Sequence, residues 1–186
     1  MIGNASDARL IRDYVATRAI VQDEYERYGY GAFIGPVRPR MTTPEGWRKI
    51  GGGSFRSAWL SPEGVVYKVQ HHYNGWGQSN GEEYANIVVI LQKHKSHPLA
   101  FMPRSTYYTL DDNRGVMAME FIKGEHPGWC NGCSGGYGHC TVNYEGKCIN
   151  RILREIGEAY GLFDLHDENV IWLPEQRKFA VIDIGA

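Results

Sequence analysis

All four cysteines of the chain, Cys130, Cys133, Cys140 and Cys148, fall in one short segment. The first two form a Cys-x-x-Cys knuckle, a spacing that lets two thiolates share one tetrahedral Zn²⁺, and the later two complete a set of four ligands. His126 and His139 lie close by in sequence. Apolar residues are sparse there, so a bound metal would stand in for a core. Zn²⁺ is the favoured reading, with unligated thiols and then disulfides as alternatives, because Cys140 and Cys148 are spaced more widely than a second knuckle would be. A second dense group of chemically capable side chains is Phe163-Asp164-Leu165-His166-Asp167-Glu168-Asn169-Val170-Ile171, followed by Ala180-Val181-Ile182-Asp183-Ile184-Gly185. Taken singly, an Asp or Asn in such a turn commonly does no more than satisfy backbone groups. His71-His72 and the pair His94 and His97 read as surface histidines, since no cysteine or carboxylate is placed with them.

The elements that must position these groups can be read from periodicity. Residues 6–27 place Leu10, Ile11, Tyr14, Val15, Ile20, Val21 and Tyr25 near helical spacing, which predicts an amphipathic helix. Gly29, Gly31, Gly35, Pro36 and Pro39 then break the pattern, so 29–44 reads as a linker packed by its own aromatic run, Tyr25, Tyr28, Tyr30 and Phe33. From 47 to 70 the chain alternates as strands, with an approach to Gly51-Gly52-Gly53, a strand over 55–60, a Ser61-Pro62-Glu63-Gly64 turn and a strand over 65–70. A helix is expected over 81–94, then strands over 102–110 and 116–122 joined by Asp111-Asp112-Asn113-Arg114-Gly115. Residues 124–147 have no clear period. A second amphipathic helix follows over 148–160 through Ile149, Ile152, Leu153 and Ile156, and two short strands, 170–173 and 179–184, flank a Pro174-Glu175-Gln176-Arg177 turn. No internal repeat is visible. The order predicts an α+β arrangement rather than alternating βαβ units.

With the elements in place, the run Asp164-Leu165-His166 through Asn169, followed after a short hairpin by Asp183-Ile184-Gly185, resembles the protein-kinase-like superfamily. Its wording is most similar to the aminoglycoside-phosphotransferase branch. Upstream stretches match in the same order. Ile50-Gly51-Gly52-Gly53-Ser54-Phe55 resembles the glycine-rich loop over ATP phosphates, and Val65-Val66-Tyr67-Lys68-Val69 resembles the strand carrying the phosphate-binding Lys. Met117-Ala118-Met119-Glu120-Phe121-Ile122 resembles the hinge beside the adenine. Together these matches run from Ile50 to Gly185.

The resemblance implies a fold and a set of roles. The fold would be kinase-like, with a helical extension and linker over 1–46, an N-lobe of five antiparallel strands and one helix over 47–122, and a reduced C-lobe over 123–186 that holds the Cys-rich loop. Lys68 would hold the α- and β-phosphates, paired with Glu83 on the next helix; Glu83 lies on the stripe of Ile87 and Leu91, while Glu82 stays open as the partner. Gly51, Gly52, Gly53 and Ser54 would cover the phosphates, and Met119, Glu120 and Ile122 would line the adenine site. Asn169 and Asp183 would hold Mg²⁺, and Asp164 would orient or deprotonate the acceptor hydroxyl. Several positions depart from the family pattern. Arg56 stands at the third glycine, Leu162-Phe163 precedes the catalytic Asp, His166 stands where protein kinases usually carry Lys, and Ile184 replaces the Phe of Asp-Phe-Gly. The sequence stops at Ala186, short of the family's later C-lobe helices, so either a minimal kinase or a partner that completes the platform is expected.

Composition narrows the partners. The 20 Lys and Arg balance 21 Asp and Glu with no basic block, which argues against nucleic acid or an anionic membrane surface. No leader-like segment precedes residue 8 and no run approaches the ~18–20 apolar residues that span a bilayer, so a cytoplasmic protein is expected. The expected activity is ATP- and Mg²⁺-dependent transfer of a γ-phosphoryl group to a hydroxyl acceptor, on a protein or a small molecule. A rival from another class is a pseudokinase-like module that binds and modulates a partner protein. A third is a small zinc-binding regulatory protein.

Overall fold

The alternating strands of residues 48–70 need a partner for each open edge, and the chain returns twice to supply one. The computed structural model describes residues 1–16, 42–52, 56–70, 79–110, 115–131 and 140–184. Its elements are α1 (Ala5–Ala16), β1 (Arg48–Gly52), β2 (Arg56–Leu60), β3 (Val65–Gln70), α2 (Asn80–Gln92), β4 (Ala100–Phe101), β5 (Ser105–Tyr108), β6 (Val116–Glu120), β7 (Asn143–Tyr144), β8 (Lys147–Cys148), α3 (Ile149–Tyr160), β9 (Val170–Leu173) and β10 (Lys178–Val181). The chain is mixed α+β, and it divides into two compact units, Met1–Tyr84 with Arg104–Phe121 and Ala85–Pro103 with Ile122–Ala186.

The first unit is built on a five-stranded antiparallel sheet in the order β1-β2-β3-β6-β5. Gly64, at φ 77°, supplies the positive φ of the tight β2–β3 turn, and Ser61 closes it by donating its N–H to the Val65 carbonyl at 2.9 Å. The turn sets the register, with Ala58 opposite Lys68 on one side and Met117 opposite it on the other, so Lys68 sits mid-sheet. Helix α1 packs on β3 and β6. Asn4 caps it, its side-chain oxygen accepting the Asp7 N–H at 2.8 Å. Its inward stripe is Ala8, Ile11, Tyr14 and Val15, and Tyr14 meets Trp59 edge-on at 5.2 Å. The Tyr67 hydroxyl accepts the Asn4 N–H at 3.1 Å and donates to Asp7 at 3.3 Å; burial above all pushes its pKa up to about 12.

In the second unit the β9–β10 hairpin pairs over four residues, from Lys178↔Leu173 to Val181↔Val170. The two-residue strand β4 joins β10 in parallel, with Ala100 beside Phe179. Tyr144, Trp172 and Phe179 form an aromatic cluster with ring centroids 4.6–5.2 Å apart. Helix α3 buries Ile149, Ile152, Leu153 and Ile156 on one stripe and ends at Gly161, whose φ of 76° and N–H to the Gly157 carbonyl at 2.7 Å make a left-handed cap. Lys95 donates to the Tyr160 carbonyl at 2.7 Å, a cation placed at the helix's negative end.

Several elements differ from the periodicity reading. Helix α1 is described as far as Ala16, and the rest of the expected 6–27 helix lies outside the described residues. Rather than preceding a lobe as a separate extension, α1 contributes to the core of the sheet, and residues 85–103, expected with the N-lobe, group with the second unit. The expected strands over 102–110 and 179–184 shorten to Ser105–Tyr108 and Lys178–Val181, because pairing partners run out there. Strands β4, β7 and β8 fall where no strand was expected, since two residues show no period. The β7–β8 turn is Glu145-Gly146, with φ of 50° and 77°, the mirror-image turn that matches strand twist. Among the described residues no helix is long and apolar enough to cross a membrane.

If α1 completes the core of the sheet, truncating its fully buried Ile11 to Ala should cost about 2–5 kcal/mol, read as a lower urea midpoint with an unchanged slope. Wild-type stability in that variant would place α1 outside the cooperative unit.

Candidate functional site

On β3, period two puts Lys68 on the face opposite Tyr67 and Val69, and β2 delivers Arg56 to the same face by its pairing with Gln70. Helix α2 then brings Glu83 to both cations. Lys68 Nζ donates to Glu83 Oε1 at 2.6 Å, and Arg56 Nη1 donates to Glu83 Oε2. Glu83 is fully buried and Lys68 only 7 % exposed. An ionised carboxylate stripped of water is tolerable only when opposite charge and hydrogen bonds replace its hydration, which both oxygens here receive. The trio itself carries a formal charge of +1.

The neighbouring Glu82 does something else. Ser79 donates its N–H to Glu82 Oε2 at 2.7 Å and accepts the Glu82 N–H on its hydroxyl at 3.1 Å, a reciprocal capping box at the start of α2. These bonds from Ser79, the backbone N–H foremost, hold the Glu82 carboxyl below its ordinary range. Between the two sits Asn80, fully buried, whose Nδ2 donates to the carbonyls of Lys68 at 2.8 Å and Gly115 at 3.2 Å. That amide ties the first turn of α2 to both β3 and the chain entering β6. Gly115 has to lack a side chain, because a Cβ there would fall 1.9 Å from the Tyr107 ring.

The other residues expected from the sequence to meet a nucleotide fall at several places in the first unit and at the start of the 122–186 segment. Gly51 and Gly52 are exposed on β1, where the β1–β2 register shifts between Lys49 and Gly51; Gly53 and Ser54 lie outside the described residues. Met119 is buried on β6. The Glu120 N–H is donated to the Arg104 carbonyl at 3.0 Å, while its side chain pairs with Arg104 at 2.8 Å. Ile122 is half-buried at the start of the second unit's 122–186 segment.

Within the second unit, Asp164, Asn169 and Asp183 are brought together by a backbone knot. Asn169 is 7 % exposed and its Nδ2 donates to the Asp164 carbonyl at 2.8 Å. Its own carbonyl accepts the Ile182 N–H at 2.8 Å and the Asp183 N–H at 3.3 Å. One 3₁₀ turn, Asp167–Asn169, thus binds the loop at its start and the segment after β10 at its end. The Asp164 side chain is exposed, Asp183 half-buried. His126, the histidine beside the Cys segment, donates from Nδ1 to the Val170 carbonyl at 2.9 Å and lies 3.3 Å from that of Asp167, which braces the same turn from another segment.

The sulfurs of Cys130, Cys140 and Cys148 all lie within 4.8 Å of one another; Cys133 and His139 lie outside the described residues. A tetrahedral site with Zn–S bonds of ~2.3 Å separates its sulfurs by roughly 3.8 Å, so these three could hold a metal after small adjustments. Three contributors escaped the sequence reading: Arg56 as a second cation on Glu83, Asn80 as a buried tie, and His126 as a brace. Only Arg56 left a trace, since the short β2–β3 turn already places it on the Lys68 face.

Removing the cap tests how α2 is held. Ser79→Ala should cost about 1 kcal/mol near neutral pH. Because the folded pKa of Glu82 is depressed, its contribution is present above the unfolded carboxylate value of ~4.3 and is lost as pH falls through the folded one. The gap between Glu82→Ala, which removes that carboxylate, and the wild type in thermal unfolding should therefore narrow at acid pH; a gap independent of pH would take Glu82 out of the cap.

No protein-family model matches the chain, and no curated protein matches it.

Proposed function

We propose that the chain is an ATP- and Mg²⁺-dependent phosphotransferase of kinase-like fold that transfers a γ-phosphoryl group to a hydroxyl acceptor. The single observation that carries the reading is the buried Glu83 carboxylate gripping Lys68 in mid-sheet. A lysine so held loses little rotamer freedom when it meets an anion.

In this reading Lys68 binds the α- and β-phosphates, and Gly51 to Gly53 with Ser54 present backbone N–H groups where side chains would obstruct. Backbone groups of Glu120 and Ile122, beside Met119, orient the adenine. Asn169 and Asp183 supply oxygen ligands, their spacing kept by the knot that Asn169 ties. Mg²⁺, held by Asn169 and Asp183, would supply positive charge to offset the charge that develops on the phosphates during transfer. Asp164 accepts a hydrogen bond from the acceptor hydroxyl, orients it and takes its proton as the bond to phosphorus forms; an exposed carboxylate on a backbone-anchored loop suits that task. The acceptor's identity, protein or small molecule, is left to experiment.

Calorimetry on the folded protein should show ATP binding that requires Mg²⁺ and weakens at least about tenfold in Lys68→Ala and in Asp183→Ala. Asp164→Asn should keep that binding while phosphoryl transfer, assayed first as ATP turnover, falls by ~10²–10⁴-fold. Transfer retained in Asp164→Asn would remove Asp164 from the chemistry. Binding with no turnover by the wild type would favour a module that uses the nucleotide to engage a partner, and no binding at all would overturn the nucleotide reading.

A further inference from the structure

Cys130, Cys140 and Cys148 come from three separate places in the second unit, and each is positioned by its own local device. Cys130 is 1 % exposed, and its backbone is held on both sides by Asn150 of α3, whose Oδ1 accepts the Cys130 N–H at 3.3 Å and whose Nδ2 donates to the Cys130 carbonyl at 2.9 Å. Cys140 lies at the start of the segment leading into β7 and is exposed. Cys148 ends β8 and is the N-cap residue of α3, yet its side chain makes no cap hydrogen bond. The β7–β8 hairpin, pairing Asn143 with Cys148, folds the chain back so that the last two sulfurs meet the first. A disulfide joins two sulfurs only, whereas here three converge on one point.

We infer that Cys130, Cys140 and Cys148 are at least three of the ligands of a structural Zn²⁺ site that clips the segment before α3 onto the start of that helix. The donor set selects the metal class. Thiolates are soft ligands that reject Mg²⁺ and Ca²⁺, which need oxygen, and a redox-silent tetrahedral ion fits sulfurs already gathered this closely. Cys148 occupies a helix N-terminus, where the macrodipole stabilises the negative charge a thiolate brings. Thr141 Oγ1 lies 3.7 Å from the Cys130 sulfur and is placed to hydrogen-bond it as outer ligands of metal-bound sulfur do. The hairpin's strands are two residues each; Tyr144 packs on Trp172 and Phe179 and Glu145 pairs with Arg177, and the metal would add a tie to Cys130. The clip sits at one end of α3, and the Asp164 loop follows from the other, about 18 Å away along a 12-residue helix. Zinc therefore anchors the helix from which the loop departs, without taking part in any reaction there.

The test uses the full chain, purified under reducing conditions from zinc-supplemented cells. Metal analysis should find about one Zn²⁺ per chain, and replacement by Co²⁺ should give the near-ultraviolet thiolate-to-cobalt charge-transfer band. Cys140→Ser is the informative variant, because an exposed side chain can change without opening the core. It should weaken zinc binding by more than about 100-fold, beyond the ~10–100-fold that losing an outer partner costs, while circular dichroism stays that of a folded protein. Chelation should lower the thermal midpoint of the wild type and leave that of Cys140→Ser unmoved. A folded wild type that takes up no zinc, binds it equally well in Cys140→Ser, or returns stoichiometric iron or copper instead would overturn the assignment.

Discussion

A carboxylate with no solvent-exposed surface is the constraint around which the first unit is arranged. Burial of the Glu83 carboxylate is offset by cations at both of its oxygens, which Arg56 and Lys68 supply from adjacent strands. For the two cations to reach one carboxylate, β2 and β3 must keep their register, α2 must begin where it does, and its first turn must be fixed in phase. Gly64 and Ser61 secure the first condition, the Ser79–Glu82 box the second, and Asn80 the third. Removing Glu83 would take the shared anion away from two buried or half-buried cations, so the residue is a structural necessity.

The second unit solves a different problem, that of holding short elements in place. Its strands are two to four residues long, too short for ladders alone to hold. Side-chain-to-backbone bonds compensate. Asn169 joins the Asp164 loop to the segment after β10, His126 braces the same turn, and Asn150 grips Cys130. Each replaces a ladder bond with a bond to a polar side chain, and for Asn169 and Asn150 the entropy cost is small because the side chain is buried or on a helix. A polar loop built in this way presents the exposed Asp164 carboxylate while its backbone stays tied.

Much of the architecture is legible in the residues themselves. Alternation and turn residues delimit β2, β3 and the β9–β10 hairpin, and the stripe of Ile149, Ile152, Leu153 and Ile156 delimits α3, because these elements are long enough to complete a period. Where a period cannot complete, as in β4, β7 and β8, the sequence is silent. Helix α1 shows the other limit: its apolar stripe announces a face to be buried but does not say against what, and packing on β3 and β6 answers that.

The sequence by itself determined the α+β order of elements, the residue types able to carry charge, oxygen ligands and thiols, and the phase of each helix stripe. Those are local properties, dictated by backbone period and side-chain chemistry within a few residues. Tertiary structure alone decided that Glu83 meets the cations while Glu82 closes a cap, that Arg56 joins Lys68 on one carboxylate, and that three cysteines from separate segments share one point. Each of these depends on strand register, turn hand and helix start acting together across long sequence separations, and no local pattern encodes their sum.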